Sequence, residues 1–125
     1  MELKINENEE RFYVGESTIP GIGKGLFAKV PLLAGDRLPV LGVLIPADSP
    51  SDACTHYADR HKFRIGDQLL IPVGFAAMVN HSACPNMEKI IEGESIHLRV
   101  LREVSPGEEL FFTYSREARE RLHIQ

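Results

Sequence analysis

At 125 residues, 43% hydrophobic and 26% charged, the chain has material for one core but not two, and it is too apolar for a disordered polypeptide. Its formal net charge of −4 is the wrong sign for a module that grips nucleic acid by neutralising phosphates, and it favours a basic partner such as a lysine-rich peptide. Two cysteines, Cys54 and Cys84, are too few for a disulfide framework.

No apolar run reaches the roughly 20 residues of a membrane span. The start MELKINENEE is too polar for a signal peptide, so the expected compartment is the reducing cytoplasm, with access to the nucleus if the source is eukaryotic or viral.

Residues 1–10 are mostly polar or charged and are expected to begin loosely, ahead of a single domain over 11–125. Short apolar runs then alternate with glycine and proline: RFYV, GLFAKV, RLPVLGVLI, QLLIP, SIHLRVL and ELFFTY. Runs of this length between turn residues predict a mainly β domain. Helix is expected in two places only. The first is SDACTHYADR, with Ser51 as N-cap. The second is the tail SREARERLHI, which pairs Arg116 with Glu120 and Glu117 with Arg121 at i,i+4 and sets Ala118 and Leu122 on another face. Such a tail is either a solvated terminal helix or an apolar cover for a site or a second subunit. A faint internal similarity links Pro31–Leu38 with Val104–Leu110, each a strand, a glycine turn, an acidic residue and a strand.

Three segments invite a chemical reading. PGIGKGLFAKV, from Pro20, has glycines at positions 21, 23 and 25, which permit close backbone approach to a ligand. It lacks the Walker spacing, and a strand follows it instead of a phosphate-cradling helix. NHSACPN, from Asn80, reads as a polar turn, a metal clip or part of a small-molecule site. Its His81 and Cys84 would complete a Cys2His2 zinc set with Cys54 and His56, although the spacings are not those of a finger. A cysteine–histidine nucleophile can be assembled from the same residues but has no local signature. PGEELFFTYS, from Pro106, reads as a turn, two solvated glutamates and an apolar strand ending at Tyr114.

Taken in order, GIGKGLFA, VNHSACPN and GEELFFTY resemble the motifs of the SET-domain protein-lysine methyltransferases, and the match runs from about Phe12 to Tyr114. The length is most similar to that of minimal, single-domain members. The resemblance implies a β-clip fold of small curved sheets with few short helices and a knot-like C-terminal crossing. It also implies S-adenosylmethionine as methyl donor, a lysine-containing protein or peptide as substrate, and no resident metal. By the same resemblance, Gly23, Lys24, Gly25, Asn80 and His81 line the cofactor. Tyr114 stands beside the transferred methyl group, and Tyr57 supplies a second channel tyrosine. Phe112 occupies the switch position whose phenylalanine favours more than one methylation. Ala77, Met78 and Thr113 depart from the usual residues, and no aromatic residue follows Tyr114. The tail or a homodimer partner is therefore expected to close the site. Alternatives are an inactive binding module of the same fold and a small zinc-stabilised domain.

Overall fold

The computed structural model describes residue 7 and residues 9–122. Among the described residues ten short strands form four small sheets, so the expected mainly β architecture is what the chain adopts. β1 (Phe12–Glu16) and β2 (Lys24–Ala28) make an antiparallel pair in which Gly15 faces Gly25. β3 (Arg37–Pro39) joins β8 (Met87–Glu92) and β9 (Ser95–Val100) in the order β3-β9-β8. β4 (Gly42–Pro46), β5 (Phe63–Ile65) and β6 (Gln68–Pro72) form a third sheet in the order β4-β6-β5. The fourth sheet joins β7 (Asn80–His81) to β10 (Phe111–Phe112) in parallel, with Phe111 opposite Asn80 and Phe112 opposite His81.

That last pairing is where the C-terminal chain returns to the centre. Asn86 secures it: its amide nitrogen donates to the Glu109 carbonyl, and its side-chain oxygen accepts from the Phe111 N–H at 2.8 Å. Thr113 Oγ1 donates to the Ser82 carbonyl at 2.8 Å, so one departure from the usual motif has become a tie between the two segments. Beneath them lies one apolar core, with Leu26, Leu32, Leu38, Val79, Met87, Leu98 and Leu110 closed to solvent.

The two similar segments meet face to face. Leu32 and Val104 exchange backbone hydrogen bonds, each 2.9 Å, and each segment turns at a left-handed glycine, Gly35 at φ +96° and Gly107 at φ +87°. A side chain at either turn would impose steric strain that glycine avoids.

The helices differ from expectation in their boundaries. α1 (Pro50–Ala53) starts earlier than the Ser51 cap predicts, because Ser49 Oγ accepts from Asp52 N–H and Pro50 suits the first turn. It ends after one turn where Thr55 leaves helical geometry, and a separate 3-10 turn covers His56–Ala58. α2 (Arg116–Leu122) carries the expected Arg116–Glu120 bridge at 3.0 Å. Ala118 and Leu122 pack against the core, whereas the Glu117–Arg121 pair lies outside the described side chains. Much of the expected loose start is also outside the described residues. Of those described, Glu9 bonds Arg11, and Glu7 accepts from the Phe75 N–H at 2.8 Å.

Candidate active site

Tyr114 ends the chain's passage through the core and is fixed at two atoms. Its backbone N–H donates to His81 Nδ1 at 3.0 Å, and its phenol donates to the Val79 carbonyl at 3.2 Å. Because Nδ1 accepts, the neutral His81 ring carries its proton on Nε2. The rings of His81 and Tyr114 tilt together at 5.2 Å, Tyr114 meets Phe112 at 5.0 Å, and Phe112 stacks flat on Phe63 at 5.3 Å. Offset and edge-on contacts of this kind fix ring positions as well as bury area.

A pocket of about 360 Å³, measured out to its mouth, opens beside this row. Its apolar wall is Phe63, Phe112, Ala76, Ala77 and Val79, with Ser115 and Ala118 of the tail on one side. The remainder of its lining is basic, comprising Arg60, His61, Lys62, Arg64 and Lys89, and no carboxylate lines it among the described residues. Burial pushes the Tyr114 phenol above its ordinary value, and the nearby charge of Arg60 offsets only part of that. Burial also pulls His61 down, with Arg60 adding to the effect, so His61 is neutral at pH 7.

Lys62 is a special case among these cations. Its ammonium is closed to solvent and donates to Asp52 Oδ1 at 2.7 Å and to Asp59 Oδ1 at 2.6 Å. Burial alone would favour the neutral amine, but the two carboxylates outweigh it and keep Lys62 charged. Asp59 also meets His56 Nδ1 at 2.8 Å. This cluster pins the connection between β4 and β5, which delivers Arg60 and His61 to the pocket.

The glycine turn lies beside Asn80. Asn80 Nδ2 donates to the Lys24 carbonyl at 3.0 Å and also reaches Ser17 Oγ and Glu109 Oε2. Glu109, read from sequence as solvated, is instead 5% exposed. It accepts from Ser17 Oγ, from Thr18 Oγ1 and from the Thr18 N–H. Burial would raise its carboxyl, but the donors from Thr18, Ser17 and Asn80 more than offset that and hold it below the ordinary carboxylate value. A side chain at Gly25 would collide with the Glu109 carboxylate, whereas Gly23, at φ +95°, faces open space. The two glycines therefore have different tasks: Gly25 admits the Glu109 strut, and Gly23 leaves backbone accessible.

Thus Lys24, Gly25, Asn80 and His81 converge, and His81 links them to Tyr114 and Phe112. Tyr57 does not join them. It sits on the 3-10 turn at 84% exposure and does not line the pocket. The aromatic ring stacked on Phe112 is Phe63, a second partner besides Tyr114 that sequence reading missed; its only local signal was a phenylalanine opening the short run FRI. Cys54, His56, His81 and Cys84 form no metal-holding group among the described residues. His56 pairs with Asp59, His81 accepts from Tyr114, and both cysteines are exposed.

A mainly β domain whose returning C-terminal segment seats a tyrosine against a central Asn–His pair, beside a pocket lined by Phe63, Phe112 and Tyr114, is the class of protein defined by this geometry. The SET domain family model matches residues 23–115, and the chain belongs to that family. Among curated proteins it is similar to N-lysine methyltransferase SMYD2 of Gallus gallus and of Homo sapiens, each 39% identical over 57 residues. Those alignments cover 42% of this chain and 13% of the relatives, so the chain spans a small part of their length. Among solved structures, Chaetomium thermophilum Polycomb Repressive Complex 2 bound to GSK126 superposes with a TM-score of 0.73 at 22% identity, covering 90% of this chain and 17% of that one. The structure of ctPRC2 in an autoinhibited conformation bound to S-adenosylmethionine gives 0.73 at 21% identity, covering 90% and 16%. These superpositions share the fold.

Proposed function

We propose that this chain transfers a methyl group from S-adenosylmethionine to the side-chain amine of a lysine in a protein. The observation that carries the reading is the pocket lined by Phe63, Phe112 and Tyr114, whose tyrosine is fixed at both its backbone and its hydroxyl.

The residues present fit the cofactor. Gly23 offers open, left-handed backbone, and the adjoining Lys24–Asn80–Glu109 network holds that wall rigid. Gly23, Lys24, Asn80 and His81 would hold the cofactor chiefly through main-chain groups, because the Asn80 amide nitrogen is engaged within the chain. Bound there, S-adenosylmethionine supplies an electrophilic methyl group on a sulfonium.

The protein's own share is alignment and the protonation state of the acceptor. A free lysine, with pKa near 10.4, is neutral in only about one molecule in a few thousand at pH 7. The apolar walls of Phe63, Phe112 and Val79 and the positive field of Arg60, Arg64 and Lys89 both favour the neutral amine. Its proton leaves to water before the lysine seats. Tyr114 remains protonated and orients the amine without acting as a strong base, and such alignment contributes roughly 7–11 kcal/mol in favourable systems. Phe112 lacks a hydroxyl that would crowd the amine, which supports addition of more than one methyl group.

A second reading, a domain that binds without turnover, draws on the position of Tyr57, which leaves the pocket with one tyrosine. Labelled S-adenosylmethionine incubated with a whole-cell protein extract, alongside calorimetric titration of the cofactor, separates the readings. Label transfer to protein lysines is expected. Cofactor binding without transfer would favour the second reading, and absence of binding would remove the first.

A further inference from the structure

The chain carries 18 acidic and 14 basic residues, yet among the described residues every charged side chain lining the pocket is basic. The acids nearby are committed elsewhere. Asp52 and Asp59 are bound to Lys62, and Glu88, next to Lys89 on β8, is paired with Arg99 of β9. Among the described residues neither Arg60 nor Arg64 has an ion pair, and Arg64 donates only to the Gly66 carbonyl, at 3.0 Å. Lys89 reaches the Arg64 carbonyl at 3.3 Å, joining β8 to β5 on the same rim. Two guanidinium groups without an ion pair therefore stand, together with Lys62 and Lys89, around a pocket whose wall is largely apolar. The overall negative charge does not describe this mouth.

We propose that Arg60 and Arg64 form a collar that selects lysines carried in acidic segments, with carboxylates flanking the target residue pairing with the collar. The proposal rests on the lysine-pocket reading above and adds the substrate class to it. A cationic rim repels a basic peptide and draws an acidic one. Complementarity of this kind acts mainly on encounter rate and on rejection of wrong partners. The same cations that ease deprotonation of the entering amine would otherwise resist a lysine-rich segment, and flanking carboxylates relieve that resistance without entering the pocket.

The test uses the intact chain with cofactor and three fluorescent peptides of equal length, each with one central lysine flanked by aspartate and glutamate, by serine and alanine, or by arginine. Anisotropy reads binding, and mass spectrometry reads methylation of the same peptides. The acidic peptide is expected to bind roughly fivefold to tenfold tighter than the neutral one at low salt and to lose most of that advantage near about 1 M salt, where screening is short-ranged. Arg60→Glu, and separately Arg64→Glu, should erase or invert the order, whereas Arg37→Glu, at a position that does not line the pocket, should leave it intact. Circular dichroism confirms that each variant folds. Equal binding of all three peptides, or preference for the basic one, overturns the collar. So does a loss confined to cofactor affinity in Arg60→Glu, which would assign the collar to the cofactor. Preference for the acidic peptide without methylation upholds the collar and removes the catalytic reading, so the two fail separately.

Discussion

Glu108 and Glu109 are adjacent and chemically identical, yet Glu108 lies half-buried against Arg102 while Glu109 is buried under hydrogen bonds from Ser17, Thr18 and Asn80. Glu109→Gln replaces an acceptor by a group that must donate into the same set of donors, and a loss of about 1–3 kcal/mol is expected from urea unfolding at pH 7. The sign with pH follows from its lowered folded value. Its stabilisation is complete above the ordinary carboxylate value of 4.5 and is lost as pH falls through the lower value of the folded state. The acid limb of the stability curve should therefore be flatter in Glu109→Gln, and an unchanged limb would assign that dependence to other carboxylates. Tyr114 makes the opposite contribution: its raised value gives stability below about pH 10 that declines in stronger alkali. Tyr114→Phe keeps the rings in contact and removes only the hydroxyl. Turnover should fall by about 10²-fold or more while cofactor affinity in calorimetry stays near that of the parent, and near-normal turnover would remove Tyr114 from the mechanism. Phe112→Tyr should shift the products toward a single methyl group in mass spectra.

Among the elements, the link from β4 to β5 shows how a segment without much secondary structure is held. Lys62→Ala would leave Asp52 and Asp59 facing a cavity without their cation. About 3 kcal/mol should be lost, the lower end for a broken buried pair because both carboxylates keep some contact with water. Lys62→Met should recover part of this, and a loss below about 1 kcal/mol for Lys62→Ala would show that the link is held by other contacts. Helix α2 carries the other prediction at this scale. Ala118 lines the pocket and Leu122 packs on the core, so removing Arg116–Gln125 should open the pocket and weaken cofactor binding in calorimetry. Unchanged affinity would reduce the tail to a solvated appendage. What the sequence disclosed at this scale was uneven. Strands β1, β2, β4, β6 and β9 announce themselves by apolar runs between turns. β8 was hidden because MEKIIE mixes charge with apolar residues, and only the left-handed turn at Gly93 and pairing with β9 make it a strand. β7 has two residues, too few to show any period, and exists through its pairing with β10, which occupies only Phe111–Phe112 of the apolar strand expected to end at Tyr114.

For the molecule as a whole, the ordered motifs carried the fold and the grouping of Lys24, Gly25, Asn80, His81, Phe112 and Tyr114, because each motif's residue types are demanded by a backbone or ring contact now visible. Tyr57 and Phe63 were not legible, since their positions depend on the path of an irregular link closed by Lys62. The inward turn of Glu109 and not Glu108 was equally hidden, because which of two neighbours faces inward is set by the bridge from Phe27 to Glu109. Net charge was the least informative guide, since it averages an acidic exterior with a basic mouth.

The parallel return of β10 onto β7 has one consequence in time. The central Asn–His segment acquires its partner strand, and Ser17 acquires Glu109 from 92 residues downstream, only after the chain through Phe112 has been made. During synthesis, the apolar faces destined for that closure must wait without their final neighbours. A chain whose decisive contacts are this distant in sequence pays loop entropy before those contacts reward it, so slow acquisition of the native state and dependence on holding chaperones are expected at birth. The maturity of the pocket is thus decided by when β10 leaves the ribosome.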